Sequence, residues 1–428
     1  MPPITIASPL TLPCGVTLKN RIAKAALTEG LADGNNRATQ AHQRLYRKWS
    51  EGGAGLVITG NVMVDRRYLE RPGNLAIDQN GGEAELAALA KAGTVNGNQL
   101  WAQLSHSGRQ TIRYITAEPL GPSAIPVKLP GGAFGKPRAL TEDEIQDIIQ
   151  RFTRAAVFAK QAGITGVQLH SAHGYLLSEF LSPKANVRTD QWGGSIENRA
   201  RLLLEIVRSI RSEVGPQFPI CVKLNSADFQ KGGFSNEESM QVAQWLEEAS
   251  VDLLEISGGT YEQLSFFGTG AEGDKQSPKA QSTLEREAYF LEYAERMRKV
   301  TRIPLMVTGG FRSLVGMNKA LADDALDVIG LGRPMCVNTD LPNQLLDGSC
   351  SAAPRYEDTL RIGPGILGPA SRINRLRNFN HMYAQGWYCV QLLRIGRGKA
   401  PKPGLWPALG VAQYLASEMR ALRALAPR

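Results

Sequence analysis

"TEDEIQDIIQRFTRAAVFAKQAGITGVQLHSAHGY" (residues 141–175) holds a helix, a strand and the start of a site in one continuous stretch. It opens with Thr141-x-x-Glu144, a capping box in which each side chain satisfies a backbone donor of the other residue. Ile145, Ile148, Ile149 and Phe152 follow at helical spacing, and Gly163 supplies a stop. "GVQLHSA" (166–172) then reads as a strand, its apolar run suited to burial on both faces. The run breaks at His170, His173 and Tyr175, so reactive side chains gather where the strand ends.

The same unit recurs along the chain. Apolar or β-branched runs stand at 20–27, 54–62, 98–105, 166–172, 219–226, 253–259, 304–310 and 328–333, most followed by a helical pattern such as "ENRARLLLEIVRSIRSEVG" or "NEESMQVAQWLEEAS". Eight alternations place the chain in the α/β class as a closed (β/α)8 TIM barrel. An open doubly wound sheet is the alternative, and it gives no reason for the count. Long βα loops are expected after strand 3 (Ser105–Leu140), strand 4 (Ala172–Ile196) and strand 6 (Gly259–Glu285), on the face where such barrels keep their sites. The first and third are rich in Gly, Pro, Ser and Thr and read as lids or pocket walls.

Beyond residue 345 the rhythm is lost, so the expected division is a barrel of residues 1–345 and a basic, mainly helical C-terminal extension of residues 346–428. From Arg355 onward there are twelve Lys/Arg against three Asp/Glu, which accounts for the whole formal charge of +9. The barrel body is neutral, so nucleic acid is not expected as a partner. Leu409, Ala412, Leu415, Met419 and Leu422 share one helical stripe, expected to pack on the barrel or on a partner subunit; a homo-oligomer stays open, with a basic amphipathic membrane-surface helix as the alternative. The composition, 43% hydrophobic and 21% charged, is that of an ordinary globular chain. No apolar run suits stable membrane insertion, and the first residues have neither the basic start nor the apolar core of a secretory leader. Five scattered cysteines without a close pair suit a reducing, cytoplasmic setting.

The strand ends make a candidate inventory. They bring Thr28, Asn61, Gln103, His170, His173, Tyr175, Lys223, the Gly309-Gly310 pair and Gly332-Arg333 toward one face, with Ser257-Gly258-Gly259 closing strand 6. His170 and His173 could bind metal, pack as a structural pair, or aim two N–H donors at a substrate oxygen. The first sits in a strand and the second in a loop, with Glu179 as the nearby acid, so no metal centre is expected. Paired donors with Tyr175 as an acid suit a carbonyl on which negative charge develops. Lys223 lies within the apolar "PICVKLNS" and requires an anion, which a structural carboxylate or a bound cofactor would supply. Glycines after strands 7 and 8 let backbone N–H groups approach a phosphate, and Arg333 adds a charge; ordinary turns are the other reading.

"HSAHGYLLSEFLSPKANVRTDQWGGSIENRARLLLEIV" (170–207) resembles the signature of the old yellow enzyme family of FMN-dependent ene-reductases, and the likeness extends over about residues 4–345 through "LKNRIAKAALTEG", "LWAQLSHSGRQ", "VKLNSADF" and "VTGGFRS". The resemblance implies noncovalent FMN at the barrel mouth, NADH or NADPH as reductant and a small activated alkene as substrate. It implies that Ala26, Thr28, Asn61, Gln103 and Lys223 meet the flavin ring, with Thr28 on the C4 oxygen and Lys223 near N1. It assigns Gly309, Gly310, Gly332 and Arg333 to the phosphate, His170 and His173 to the substrate oxygen, and Tyr175 to proton donation. Ala26-Leu27, Glu29 and Asn61 depart from the family's usual residues. Relatives that carry an iron–sulfur cluster use closely spaced cysteines, whereas Cys336, Cys350 and Cys389 lie far apart.

Overall fold

Every one of the eight apolar runs contains a parallel strand. These are β1 (Ile22–Lys24), β2 (Leu56–Met63), β3 (Gln99–Ser105), β4 (Gly166–Ser171), β5 (Ile220–Asn225), β6 (Leu253–Ser257), β7 (Leu305–Thr308) and β8 (Val328–Leu331). The computed structural model describes residues 3–127, 132–257, 291–361, 363, 371 and 374–426. The ring closes because β1 pairs with β8 through Ile22 and Ile329 and with β2 through Ala23 and Leu56. Strand β1 is shorter than its apolar run, since the chain leaves the ladder after Lys24.

Local chemistry starts and stops the helices as the sequence leads one to expect. The outer layer includes α1 (Gln40–Glu51), α2 (Glu83–Gly93), α3 (Glu142–Gln161), the short α4 (Leu176–Leu181), α5 (Ile196–Val214), α6 (Asn236–Glu248), α7 (Leu314–Ala322) and α8 (Leu341–Leu346). Thr141 accepts from the Glu144 amide while Glu144 accepts from the Thr141 amide, which starts α3. Ser195 caps α5, and Gly215, at φ 80°, ends it with a backbone that only glycine adopts without strain.

An antiparallel hairpin, Leu10–Thr11 with Thr17–Leu18, seals one end of the barrel. Its Leu12 and Leu18 pack on Ala23, Leu56, Trp101 and Met306 inside the ring. With that end filled, the C-terminal ends of the strands form the open mouth.

The extension supplies α9 (Asn374–Gly396) and α10 (Pro407–Ala424). Helix α9 packs on α1 and on residues Arg333–Cys336 after β8. Trp387 is fully buried there and donates from Nε1 to the Leu405 carbonyl at 2.8 Å. Helix α10 packs by the face opposite to the expected one. Gly410 and Val411 are buried, Glu418 pairs with the buried Arg71 at 2.5 Å, and Tyr414 lies 5.2 Å beneath the same guanidinium. That buried cation selects the Tyr414–Glu418 side, which leaves the Leu409, Leu415 and Met419 stripe in solvent.

The loop after β3 folds on itself through a turn at Gly108–Gln110 and a parallel pair, Leu120–Gly121 with Arg138–Ala139. Among its described residues none lines the cavity at the barrel mouth. The Gly259–Glu285 loop and the Gly258-Gly259 pair lie outside the described residues.

Candidate active site

Parallel register sets the site. Strand β4 places His170 beside Lys223 of β5, and Lys223 beside Glu255 of β6. One level away, Asn61 of β2 stands beside Gln103 of β3, which stands beside Gln168 of β4. Side chains at matching register share one height in the barrel. Residues far apart in sequence therefore meet without a loop to guide them.

They surround a cavity of about 390 Å³ at the open mouth. Ala26, Thr28, Asn61, Gln103, Lys223, Gly309, Gly332 and Arg333 all line it, together with His170, His173 and Tyr175. Gly310 alone of the expected set is not among the lining residues; it is buried behind Gly309 at φ 85°. A Cβ built on Gly309 would meet nothing within 4 Å, and one on Gly332 only Leu27 at 4.0 Å. These glycines therefore border open space rather than packed side chains.

The two imidazoles lie 5.1 Å apart and nearly perpendicular, and the Tyr175 ring packs edge-on to His170 at 4.7 Å. Nδ1 of His170 is buried and without a partner among the described residues. His173 bonds through Nε2 to the Ser257 hydroxyl at 2.7 Å. Its backbone carbonyl accepts from Gln110, and its φ of 63° is one that side-chain-bearing residues rarely hold. Desolvation, reinforced by the nearby Lys223 charge, holds both histidines well below the usual imidazole value. Both rings are therefore neutral at ordinary pH, each with one N–H donor.

Lys223 meets an internal anion: its Nζ lies 2.7 Å from Oε1 of the buried Glu255. Of the two anions the sequence left open, the structural carboxylate is present. Glu255 also accepts from Gln168 and from Thr308, each at 2.7 Å, and Gln168 in turn accepts from Gln103 at 2.7 Å. The result is a polar network across the barrel interior whose buried carboxylate has a partner on each oxygen.

At the other side of the mouth, Thr28 donates its hydroxyl to Glu70 at 2.9 Å, and Asn61 donates to the same oxygen at 2.7 Å. Asn61 Oδ1 is buried without a partner among the described residues. The unusual Glu29 also has a structural account: it accepts from the Tyr46 hydroxyl and, at 3.0 Å, from the Gly60 amide.

The extension completes the wall. Ala384, Gln385, Tyr388, Cys389 and Leu392 of α9 line the cavity, and Glu357 ties the extension to its basic end. Glu357 accepts from Arg312 at 2.6 Å and from Tyr388 at 3.0 Å, with Arg333 at 3.6 Å. Burial alone would raise the Glu357 carboxyl, but the charges of Arg333 and Arg312 prevail and hold it at about 2.

Sequence reasoning missed Glu70, Glu255, Arg312 and Glu357; the aromatic stretch "NHMYAQGWYCVQLL" (380–393), which the sequence leaves undecided between this chain's pocket and a neighbour's, supplies the α9 wall. Glu255 was within reach, because a carboxylate inside the apolar "LLEIS" demands a partner by the same argument that marked Lys223. Glu70 and Glu357 stand in irregular segments with no periodicity to betray them.

Comparison with known proteins gives the family. The chain is 37% identical over 359 residues to the NADH-dependent flavin oxidoreductase iliE of Hypocrea jecorina, across 79% of this chain and 88% of that protein. It is 36% identical to the iliE protein of Neonectria sp. over 78% of this chain, yet spans only 46% of that longer relative. The solved old yellow enzyme homologue from Zymomonas mobilis superposes with a TM-score of 0.68 at 26% identity, covering 84% of this chain and 97% of that one. Residues 5–350 match the NADH:flavin oxidoreductase / NADH oxidase family, and the chain belongs to it as an oxidoreductase of the old yellow enzyme type.

Proposed function

We propose that the protein is an FMN-dependent, NAD(P)H-oxidising ene-reductase acting on α,β-unsaturated carbonyl compounds or similarly activated alkenes. The observation that carries this reading is the neutral imidazole pair facing the cavity with Tyr175 packed against it. Neutral rings donate N–H without adding a cation, so they polarise a carbonyl most as its oxygen gains charge. Tyr175 then delivers a proton to the α-carbon while hydride arrives at the β-carbon, a transfer that a phenol makes to a basic enolate-like carbon.

The residues present fit FMN. Open space above Gly309 and Gly332 accommodates a phosphate, with Arg333 and Arg312 at hand. The unpartnered Asn61 Oδ1 suits a hydrogen bond from the ring. When bound, FMN supplies the hydride that NADH or NADPH has delivered to it. Lys223, held by Glu255, brings a fixed positive charge to the cavity. The extension of residues 346–428 belongs to the site in this reading, since α9 forms part of its wall.

The test separates the two half-reactions. In Tyr175→Phe, bleaching of the flavin by NADH is expected to be unchanged, while reoxidation by cyclohexenone falls roughly 10²–10⁴-fold, the usual contribution of a positioned acid. Full alkene turnover in that variant removes Tyr175 as the acid. A colourless protein that refuses added FMN removes the whole reading.

A further inference from the structure

Helix α10 carries an apolar face that no described residue covers. Leu409, Leu415 and Met419 are 46%, 51% and 52% exposed, and Trp406, just before the helix, is 65% exposed. The charge beside this face is of one sign. Arg394, Arg397, Lys399 and Arg420 line the cleft between α9 and α10, and a second groove continues past Lys399 to Arg44 and Arg47. Among the described residues Arg397, Lys399, Arg420 and Arg423 have no carboxylate partner, and Glu418, the one acid of α10, is turned inward onto Arg71.

We propose that this face docks peripherally on an anionic lipid surface. The inference is independent of the flavin chemistry. A membrane interface accepts an apolar stripe a few ångströms deep while its headgroups neutralise the flanking cations, and tryptophan favours that boundary. A second copy of the chain fits less well. A two-fold contact through the stripe would bring together two faces that both carry Arg420 and Arg423, with no acid on the face to relieve them. A nucleic acid would satisfy the cations and leave Leu415 and Met419 in water. No helix among the described residues is long and apolar enough to cross a membrane, so the attachment is superficial.

The test is co-sedimentation of the full chain, as purified, with vesicles of phosphatidylcholine alone or mixed with phosphatidylserine. Binding is expected on the mixed vesicles, with release at high salt. Each removed cation weakens it about fivefold, so R420Q/R423Q loses about 25-fold. L415S/M419S weakens binding at low salt, where the cations are intact, because the apolar contact is lost. Both pairs are surface changes remote from the cavity, so flavin content is expected to stay unchanged. No binding to the mixed vesicles overturns the proposal, as does binding that neither pair weakens. So does a stable dimer that L415S/M419S dissociates, or salt-sensitive retention on an oligonucleotide without retention on the vesicles.

Discussion

Replacing His173 with glycine separates a catalytic from a structural role. The residue holds φ 63° in the native fold, a conformation that costs a side-chain-bearing residue roughly 1–2 kcal/mol. His173→Gly removes that cost, while the freer unfolded glycine costs about 0.5–1 kcal/mol. The anchoring bonds of the segment are backbone ones, from the His173 amide to Asn225 and from Gln110 to the His173 carbonyl, and both survive. The Ser257 hydroxyl loses its ring partner but is only partly buried, so water can take that partner's place. Stability is therefore expected to move by no more than about 1 kcal/mol. In the proposed mechanism activity responds differently, because one of two donors to the developing oxyanion is gone. Such a donor is worth about 3 kcal/mol, or roughly 10²–10³ in rate. The assay pairs urea unfolding with anaerobic stopped-flow reoxidation of the flavin by cyclohexenone. His173→Asn, which tolerates the left-handed backbone and keeps an N–H donor, is expected to recover part of the rate. A glycine variant that loses over about 3 kcal/mol of stability yet reoxidises at the parent rate would refute the argument, because a merely packed histidine behaves that way.

Three further outcomes follow from the same contacts. His106 is buried, and desolvation holds it at about 4 despite the opposing Asp65 charge. The unfolded chain then binds its proton first, so this contribution is intact above about pH 6.5 and falls away toward pH 4, by up to ~3 kcal/mol; urea unfolding in a pH series should show a shallower acid loss in His106→Gln. Glu70→Ala frees the single Thr28 proton for a bound flavin and removes a carboxylate from the mouth, which is expected to raise the flavin potential, about 30 mV for every 1.4 kcal/mol; a potential unchanged on dye equilibration rules out Glu70 as a tuning residue. Trp387→Ala opens a large void under α9 and should cost about 3–5 kcal/mol; since Tyr388 and Cys389 line the cavity, flavin fluorescence should then appear at a lower temperature than in the parent, and coincident release temperatures would argue that α9 does not hold the cofactor.

The barrel was legible because its signals are local and repeat. Capping at Thr141, the stop at Gly163 and eight apolar runs each speak within a dozen residues, and parallel closure follows from their number. The candidate site was legible where strand ends carry it, at His170, Lys223 and Gly309. The outward face of α10 was not. Its stripe has helical periodicity, but which side of a helix is buried depends on what waits below, here a buried Arg71 contributed from the loop after β2. The wall made by α9 was hidden for a related reason, since its lining residues gain meaning only once the extension folds back over the mouth.

A common feature joins the residues that were missed. Behind six of the donors at the mouth stands a glutamate: Glu70 behind Thr28 and Asn61, Glu255 behind Lys223 and Thr308, Glu357 behind Arg312 and Arg333. Apart from Glu70 and Asn61, nine residues apart, each carboxylate comes from a different stretch of chain than the donor it holds, so no spacing rule links them. Their physical effect is shared. A donor already bonded on its far side loses little freedom when a ligand arrives, and a cation already paired presents less net charge to the cavity. An anionic ligand is then bound by fixed geometry more than by long-range attraction. Removing one such carboxylate is therefore expected to loosen the orientation of its donor before it changes the depth of the site.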